Sequence, residues 1–437
     1  MMSAKRGGVA AAPARAIQAT PRVPRVQITP PALPHLVFYE TLAALDESHP
    51  LWEETVAGLL ALRLYDTWCE RSALGESLEP WEIAGVTSQV ETLPAARTVR
   101  APLRALVRAA ESADQTPTAA LSHLAAYARA LHFGAHWLLA ADVFTTILGR
   151  ARGAPGEVLF TAAFHRGYCY RMAGMLDHAA ASYNEGRLIA VSCDNEAGVL
   201  EADFSHAKLA LHRGNLPAAE ALLDSVIASA DAPACRHVLA RALHDRGQVA
   251  ARRGRPDDAV TYVYRAYALY ESESDRDRAL GDVAGALAEA GYHDAAWDAR
   301  LVIQATAQEQ ETRWSATVNL IELAAWRGDR RLFEQFIREL DGVALPPWLA
   351  GYYHLHAGAG YHQFGEQTAA GRALREAVAV AVRHELHEVR MKADDLLTAV
   401  ERSPSPVVPA PAPSAGPVAD VITAVRALRE QSAVATV

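Results

Sequence analysis

The stretch FHRGYCYRMAGMLDHAAASY, residues 164–183, places Gly167 and Gly174 inside a segment whose apolar spacing predicts helix. Glycine is unfavourable within a helix, so its repeated use needs a structural reason. Seven glycines recur at intervals of 40, 40, 40, 37, 37 and 37 residues: Gly134, Gly174, Gly214, Gly254, Gly291, Gly328 and Gly365. A period in this range predicts a solenoid of repeated units, with each glycine in the bend between two antiparallel helices.

A second regularity appears when each bend glycine is numbered as position 15 of its unit. Small residues then recur at position 8, as in Gly167 and Gly247, and at position 20, as in Ala179. We expect these small residues to let the two helices of a unit approach closely, and larger residues at positions 11 and 24 to fill the gap to the next unit. Three large residues break this pattern: Tyr127 at position 8, Phe333 at position 20 and Arg300 at position 24.

This pattern resembles the tetratricopeptide repeat (TPR), most clearly in RGYCYRMAGMLDHAAASY, RGQVAARRGRPDDAVTYV and AGAGYHQFGEQTAAGRAL. The resemblance covers residues 117 to about 390. It implies an all-α fold: a right-handed superhelical solenoid of about seven TPR-like helical hairpins, with an N-terminal helical cap and disordered termini. The family repeat has about 34 residues, so the 3 or 6 extra residues in each period predict longer helices or loops.

Composition divides the chain into five segments. We expect a disordered basic leader rich in Pro, Ala and Arg (1–34), a helical cap (35–113), the TPR-like solenoid (114–401), a Pro-rich linker (402–417) and a C-terminal amphipathic helix (418–432). The last helix is too short to be stable alone. It is therefore expected to fold back into the groove of the solenoid, to bind a neighbouring molecule, or to hang loosely from the chain end. In the first case, deleting residues 403–437 would raise partner affinity.

Charge and hydropathy exclude several classes of function. Residues 1–39 carry a charge of +5 and the remaining chain −14, so nucleic-acid binding by the folded body is not expected. No apolar run is long enough to predict a membrane span. The leader is short and interrupted by Pro13, so it does not predict a secretory signal. Four widely spaced cysteines predict reduced thiols and a cytoplasmic location.

Catalytic motifs are not evident in the sequence. It contains no G-x-S-x-G, no Walker A motif and no H-E-x-x-H. The segment RHELHE, residues 383–388, would place His384 and His387 on one helix face, but further metal ligands are not apparent. We therefore expect no catalytic residues, no metal site, no cofactor and no enzyme activity.

The TPR resemblance implies that the first helix of each unit lines a concave groove through positions 2, 5, 9, 12 and 13. Carried over to this sequence, those positions predict a partner-binding groove made of Phe164, Tyr168, Arg171, Phe204, Lys208, His212, Arg241, His244, Gln248, Arg252 and Arg278. Cations interleaved with aromatic rings predict a site for an anionic segment, although a merely solvated face has the same composition. Glu289 and Glu322, beside Trp326, reverse the sign at the far end.

The leading prediction is a non-catalytic interaction scaffold or adaptor that binds a protein or peptide segment, expected to be acidic, in the concave groove. The alternative is a ligand-sensing or peptide-sensing regulatory domain of a bacterial signalling or transcription system. Residues 35–113 show no helix-turn-helix pattern that would support DNA binding. The sequence is also compatible with a small-molecule ligand.

Overall fold

The computed structural model describes residues 33–150, 153–230, 232–402 and 416–432, and these residues form helices joined by short turns. Most of the predicted leader and of the predicted linker lies outside the described residues. The predicted linker is shorter at both ends, because Arg402 is the last residue of a helix and Gly416–Val418 form a short 3-10 turn. Within the described ranges, no helix has both the length and the apolar character needed to cross a membrane.

Four helices occupy the segment predicted as a cap: α1 (Leu36–Ala44), α2 (Pro50–Ala73), α3 (Pro80–Thr92) and α4 (Arg100–Glu111). Helix α2 contributes the largest share of the cap core, including the buried side chains of Leu62, Tyr65 and Trp68. It ends before Gly75, whose φ of 76° allows the chain to reverse.

Seven helical hairpins follow the cap in the described structure. They are α5 (Leu121–Phe133) with α6 (Trp137–Arg150), α7 (Gly156–Met172) with α8 (Leu176–Ser192), α9 (Glu196–His212) with α10 (Leu216–Ser229), α11 (Arg236–Arg252) with α12 (Pro256–Leu269), α13 (Glu273–Glu289) with α14 (His293–Thr306), α15 (Gln310–Trp326) with α16 (Arg330–Leu340), and α17 (Pro347–Gln363) with α18 (Gln367–Arg383). Two further helices complete the order: α19 (His387–Arg402) and α20 (Ala419–Gln431). The predicted all-α array of TPR-like hairpins is confirmed.

The bends of six hairpins use glycine in the left-handed region of backbone space. Their φ values run from 69° at Gly254 to 86° at Gly291. The first bend is different, because Gly134 has a φ of −78° and Ala135 takes the left-handed conformation at 59°. The prediction that Gly134 supplies this conformation is therefore wrong. The backbone shows why: the N–H of Ala135, not of Gly134, donates to the carbonyl of His132 in closing the turn.

Small residues at position 8 make room for position 24 of the same hairpin. A Cβ added to Gly167 would lie 2.5 Å from the ring of Tyr183, and one added to Gly247 would collide with Val263. Position 24 also reaches the next unit, as expected: Tyr183 packs in one cluster with Leu209, and its ring centre lies 6.1 Å from that of His206 on α9. The same side chain lies over the missing Cβ within its own hairpin. Close approach of the paired helices follows, as predicted.

The large residues at small positions are accommodated by glycines outside their own hairpins. Tyr127 is fully buried against Gly58 of α2, where any Cβ would overlap its hydroxyl. Phe333 of α16 is buried against Gly360 of α17 in the same way. These exceptions to the repeat pattern are therefore contacts between units.

The C-terminal helix α20 docks on the same chain, against α12 and α14. Val421 and Val425 are buried in this contact, and Arg429 Nη1 lies 2.5 Å from Asp298 Oδ1 at its edge. Helices α12 and α14 are the second helices of their hairpins. Of the alternatives considered for this helix, folding back on the same chain is the one observed. Its apolar stripe packs on the second helices, however, and not in the groove of first helices.

Candidate partner-binding groove

The surface formed by α9, α11, α13, α15, α17 and α19, here called the first-helix face, contains three adjoining cavities. Their volumes are about 290, 360 and 530 Å³. Gln248 lines both the first and the second, and Glu289 lines both the second and the third. The cavities therefore lie next to one another along successive units. We call them the mixed-charge cavity, the arginine cavity and the tryptophan cavity.

The mixed-charge cavity brings together six of the eleven predicted groove residues. They are Phe204, Lys208, Arg241, His244, Gln248 and Arg278, joined by Asp245 and Tyr270. Phe204 is the floor, since only 1% of its surface is exposed. The Arg241 guanidinium lies 4.6 Å and the Lys208 ammonium 5.6 Å from the centre of its ring. Such cation–π contacts hold both cations in place over the ring.

The cations of this cavity do not form the free positive stripe that the sequence predicted. Each has a carboxylate partner: Lys208 Nζ lies 2.8 Å from Asp245 Oδ2, Arg241 Nη1 lies 2.6 Å from Glu201 Oε1, and Arg278 Nη2 lies 2.8 Å from Asp275 Oδ1. These ion pairs neutralise the three cations, so the predicted excess of positive charge is not present in this cavity. Two of the carboxylates belong to a neighbouring unit, about one repeat period away from the cation they meet.

His244 is buried rather than exposed for contact with a partner. Its Nε2 donates a hydrogen bond of 2.7 Å to Asp282 Oδ2, and its Nδ1 lies 3.1 Å from the hydroxyl of Tyr270. Because Asp282 belongs to α13, His244 links two successive first helices. His244 therefore connects two successive hairpins at the floor of the cavity.

Four further predicted residues, Phe164, Tyr168, Arg171 and His212, lie outside the three cavities on α7 and α9. Arg171 Nη1 donates a hydrogen bond of 2.8 Å to His212 Nε2, and its guanidinium lies 4.8 Å from the ring centre of Tyr168. Burial lowers the pKa of His212, and the charges of Arg171 and Lys208 lower it further. His212 can therefore accept this bond at neutral pH. Phe164, the fourth member, stacks on Phe160 of the same helix, with ring centres 6.0 Å apart.

The arginine cavity contains two cations without such partners. Arg252 is exposed at its rim, and Arg300 reaches it from α14. Within the described residues, neither side chain makes a hydrogen bond or an ion pair. Arg300 Nη1 lies 3.6 Å from the position of a Cβ on Gly281, and Nη2 lies 3.9 Å from one on Gly285. The two glycines thus leave an open slot over the guanidinium.

The charge of Arg300 survives this partial burial. Burial lowers its pKa to about 10, and the charges of Asp282 and Glu322 oppose that shift, so the side chain is cationic at neutral pH. In the sequence, Arg300 stands out only as an exception at position 24. The feature of the sequence that could have identified this site is the pair of glycines at positions 5 and 9 of the same unit, Gly281 and Gly285. Both glycines line the arginine cavity.

The tryptophan cavity contains the residues predicted to reverse the sign of the groove. Glu289, Glu322 and Trp326 line it together, and α17 adds Trp348 and Tyr352, which the sequence analysis missed. The predicted positions therefore line cavities on successive first helices from α9 to α15.

The histidine pair of RHELHE is not on one helix face. His384 follows the last residue of α18, Glu385 has a φ of 56°, and His387 begins α19. The prediction of one helix through this segment is wrong, because the chain reverses at Glu385. In the described part of the chain, no three His, Cys, Asp or Glu side chains are grouped so that they could hold a metal ion. All four cysteines are free thiols.

Comparison with known proteins adds little beyond the fold. No protein-family model matches the sequence, and no curated protein matches it. Solved structures that it resembles include the apo form of the quorum sensor NprR from B. thuringiensis, at 12% identity over 83% of this chain and 92% of that chain, with a TM-score of 0.43. Aspartyl phosphate phosphatase F from Bacillus subtilis gives 10% identity over 79% of this chain and 94% of that chain, with a TM-score of 0.43.

A third similar structure is the signal-transduction ATPase with a tetratricopeptide repeat sensor from Pyrococcus horikoshii. It gives 12% identity over 85% of this chain and 56% of that chain, with a TM-score of 0.44. At these values the likeness carries no argument about function. The description as a TPR-like array rests on the hairpins and bends of this chain itself.

Proposed function

We propose that this protein is a non-catalytic interaction scaffold that holds an extended segment of a protein or peptide partner on its first-helix face. The adjacency of the three cavities supports this proposal, because one extended segment could contact several successive units. Repeat arrays characteristically use such long surfaces for binding. The four free thiols support a reducing compartment such as the cytoplasm.

We place the acidic residue of the partner in the arginine cavity. The cations of the mixed-charge cavity already have carboxylate partners, so they have little to gain from another. Arg252 and Arg300 have none among the described residues, and a carboxylate between them would form charge-assisted hydrogen bonds. The slot left by Gly281 and Gly285 gives a side chain access to the Arg300 guanidinium.

Selection from a displayed library of random 12-residue peptides on the full chain tests this proposal. We expect recovered peptides to be enriched in Asp and Glu. Their affinity should fall by about 10-fold or more for Arg252→Glu, because a charge-assisted hydrogen bond contributes about 1.5–3 kcal/mol and the reversal adds repulsion. Isothermal titration calorimetry with individual synthetic peptides measures this loss.

Arg265→Glu is the matched control. Arg265 is also exposed, but it lies on α12, outside the first-helix face. The same charge change there should leave peptide affinity within about twofold. Failure to recover any binding peptide, or equal losses in the two variants, would overturn the proposed function.

A further inference from the structure

Negative charge predominates in the tryptophan cavity. Its lining includes three carboxylates, Glu289, Glu322 and Glu388, against the single ammonium of Lys392. Within the described residues, Lys392 forms an ion pair with Glu388 alone, with its Nζ 2.7 Å from Glu388 Oε1. Glu289 makes no ion pair within the described residues. The cavity therefore has two carboxylates beyond those that its own lysine neutralises.

The nearby histidines do not supply the missing positive charge. His356 Nδ1 lies 3.5 Å from Glu322 Oε2, so a protonated ring would form an ion pair. Burial, however, lowers the pKa of His356, and it also lowers that of His293 on the opposite wall. Both rings are therefore neutral at pH 7, so neither forms an ion pair with Glu322, and the cationic charges that act on Glu322 are those of Arg300 and Lys392.

Aromatic rings form the other part of the lining. Trp326 is half-buried and packs on His293, with ring centres 4.3 Å apart. Trp348 stands at the cavity with 41% of its surface exposed, and Tyr352 stacks on His356 at 5.9 Å. Exposed tryptophan faces attract cations through their π electrons, and tryptophan is the strongest of the aromatic side chains in this respect.

We infer that the tryptophan cavity receives a cationic side chain, a lysine or arginine of the same bound segment, between the Trp326 and Trp348 rings and the carboxylates of Glu289 and Glu322. This inference rests on the proposed function, and it adds a polarity to the segment. An acidic residue lies at the arginine cavity and a basic residue lies further along, toward α17. The shared lining residues Gly285 and Glu289 place the two cavities next to each other, so one extended segment reaches both.

The test compares peptide selections on the wild-type chain and on the double variant Glu289→Gln/Glu322→Gln, which keeps side-chain size and removes both charges. We expect peptides selected on the wild type to carry Lys or Arg at a fixed spacing from an acidic residue. The double variant should recover peptides with the acidic preference intact and the basic preference lost. Glu376→Gln, at an exposed site on α18 outside the groove, is the control and should retain both preferences.

A thermodynamic cycle on one recovered peptide identifies the aromatic contribution. Replacing its Lys or Arg by norleucine should weaken binding about tenfold on the wild type, in the range of a desolvated cation–π contact. On Trp326→Leu, the same replacement should have less than about a threefold effect. A stable fold of this variant is checked by its thermal unfolding before titration.

The outcomes separate this inference from the proposed function. Recovery of acidic peptides without a basic preference, or with a basic preference that the double variant keeps, overturns the inference and leaves the scaffold function standing. Binding of free Nα-acetyl-lysine amide, which keeps its side-chain ammonium, within tenfold of the peptide affinity overturns the inference in favour of a free cationic ligand. Recovery of no peptide at all removes both.

Discussion

A single buried histidine links the cap to the first hairpin. His35 precedes α1, and its two ring nitrogens contact Asp142 Oδ2 at 2.7 Å and Asp66 Oδ2 at 3.0 Å. Carboxylates accept only, so both nitrogens donate and the ring is charged. Burial lowers the pKa of His35, but the hydrogen bonds and charges of the two aspartates outweigh this and raise it to about 9.

This histidine predicts a loss of stability at alkaline pH. Because the folded-state pKa lies above the unfolded value of about 6.5, its stabilisation is complete below pH 6.5 and disappears as the pH rises through 9. Thermal unfolding followed by circular dichroism should show a falling Tm over this window. His35→Asn keeps a residue that tolerates the left-handed φ of 59° at this position and cannot titrate. Its Tm should fall less over the same window, and an equal fall in both proteins would contradict the prediction.

Local backbone requirements could be read from the sequence, whereas side-chain pairing could not. Six bend glycines were located correctly because a left-handed turn is a property of a few adjacent residues. In the first bend the prediction chose Gly134 instead of its neighbour Ala135 as the left-handed residue, because only the hydrogen bonds of the turn distinguish the two. His35 gave no signal, since its two aspartates come from distant segments of the chain.

At the scale of helices, each unit of the repeat is completed by its neighbour. The contact of Phe333 on α16 with Gly360 on α17 is an example, because a Cβ at residue 360 would overlap the Phe333 ring. Phe333 therefore looks like an exception when each hairpin is considered alone, because the repeat pattern expects a small residue at its position. Its compensating glycine lies outside the hairpin, which explains why the sequence located the repeats but not their packing.

Gly360→Ala should lower the free energy of unfolding by about 1–3 kcal/mol, the usual cost of overpacking a core. Phe333→Leu should relieve part of this cost, so a double-mutant cycle in urea should give a favourable coupling of about 1 kcal/mol. Gly371→Ala is the matched control in a buried helical position. A Cβ there would lie 3.5 Å from Arg375, an ordinary contact, so the helix should gain about 0.5–1 kcal/mol. Additive effects of the first two changes would contradict the prediction.

Across the whole molecule, stacking decides which charges remain available. Lys208 and Arg241 are neutralised by residues one unit away, whereas Arg300 is left open by glycines on its own hairpin. Several predicted groove positions line shared cavities, but their carboxylate partners could not be identified from the sequence. A count of cations along the groove therefore overestimated its positive charge, and this is the reason why we propose the acidic contact at the arginine cavity.

Helix α20 packs on the second helices α12 and α14, away from the first-helix face. Val425→Asp places a charge in its buried contact with α12 and α14, at a cost of several kcal/mol, so the amide hydrogens of α20 should exchange much faster. Thr423→Asp, on the exposed side of the same helix, is the control and should exchange like the wild type. Because α20 does not cover the first-helix face, release of the helix should leave the affinity of a groove peptide within about twofold. A rise of tenfold or more in Val425→Asp, measured by calorimetry with the same peptide, would show that α20 restrains the groove from the opposite face and would contradict the separation of the two surfaces.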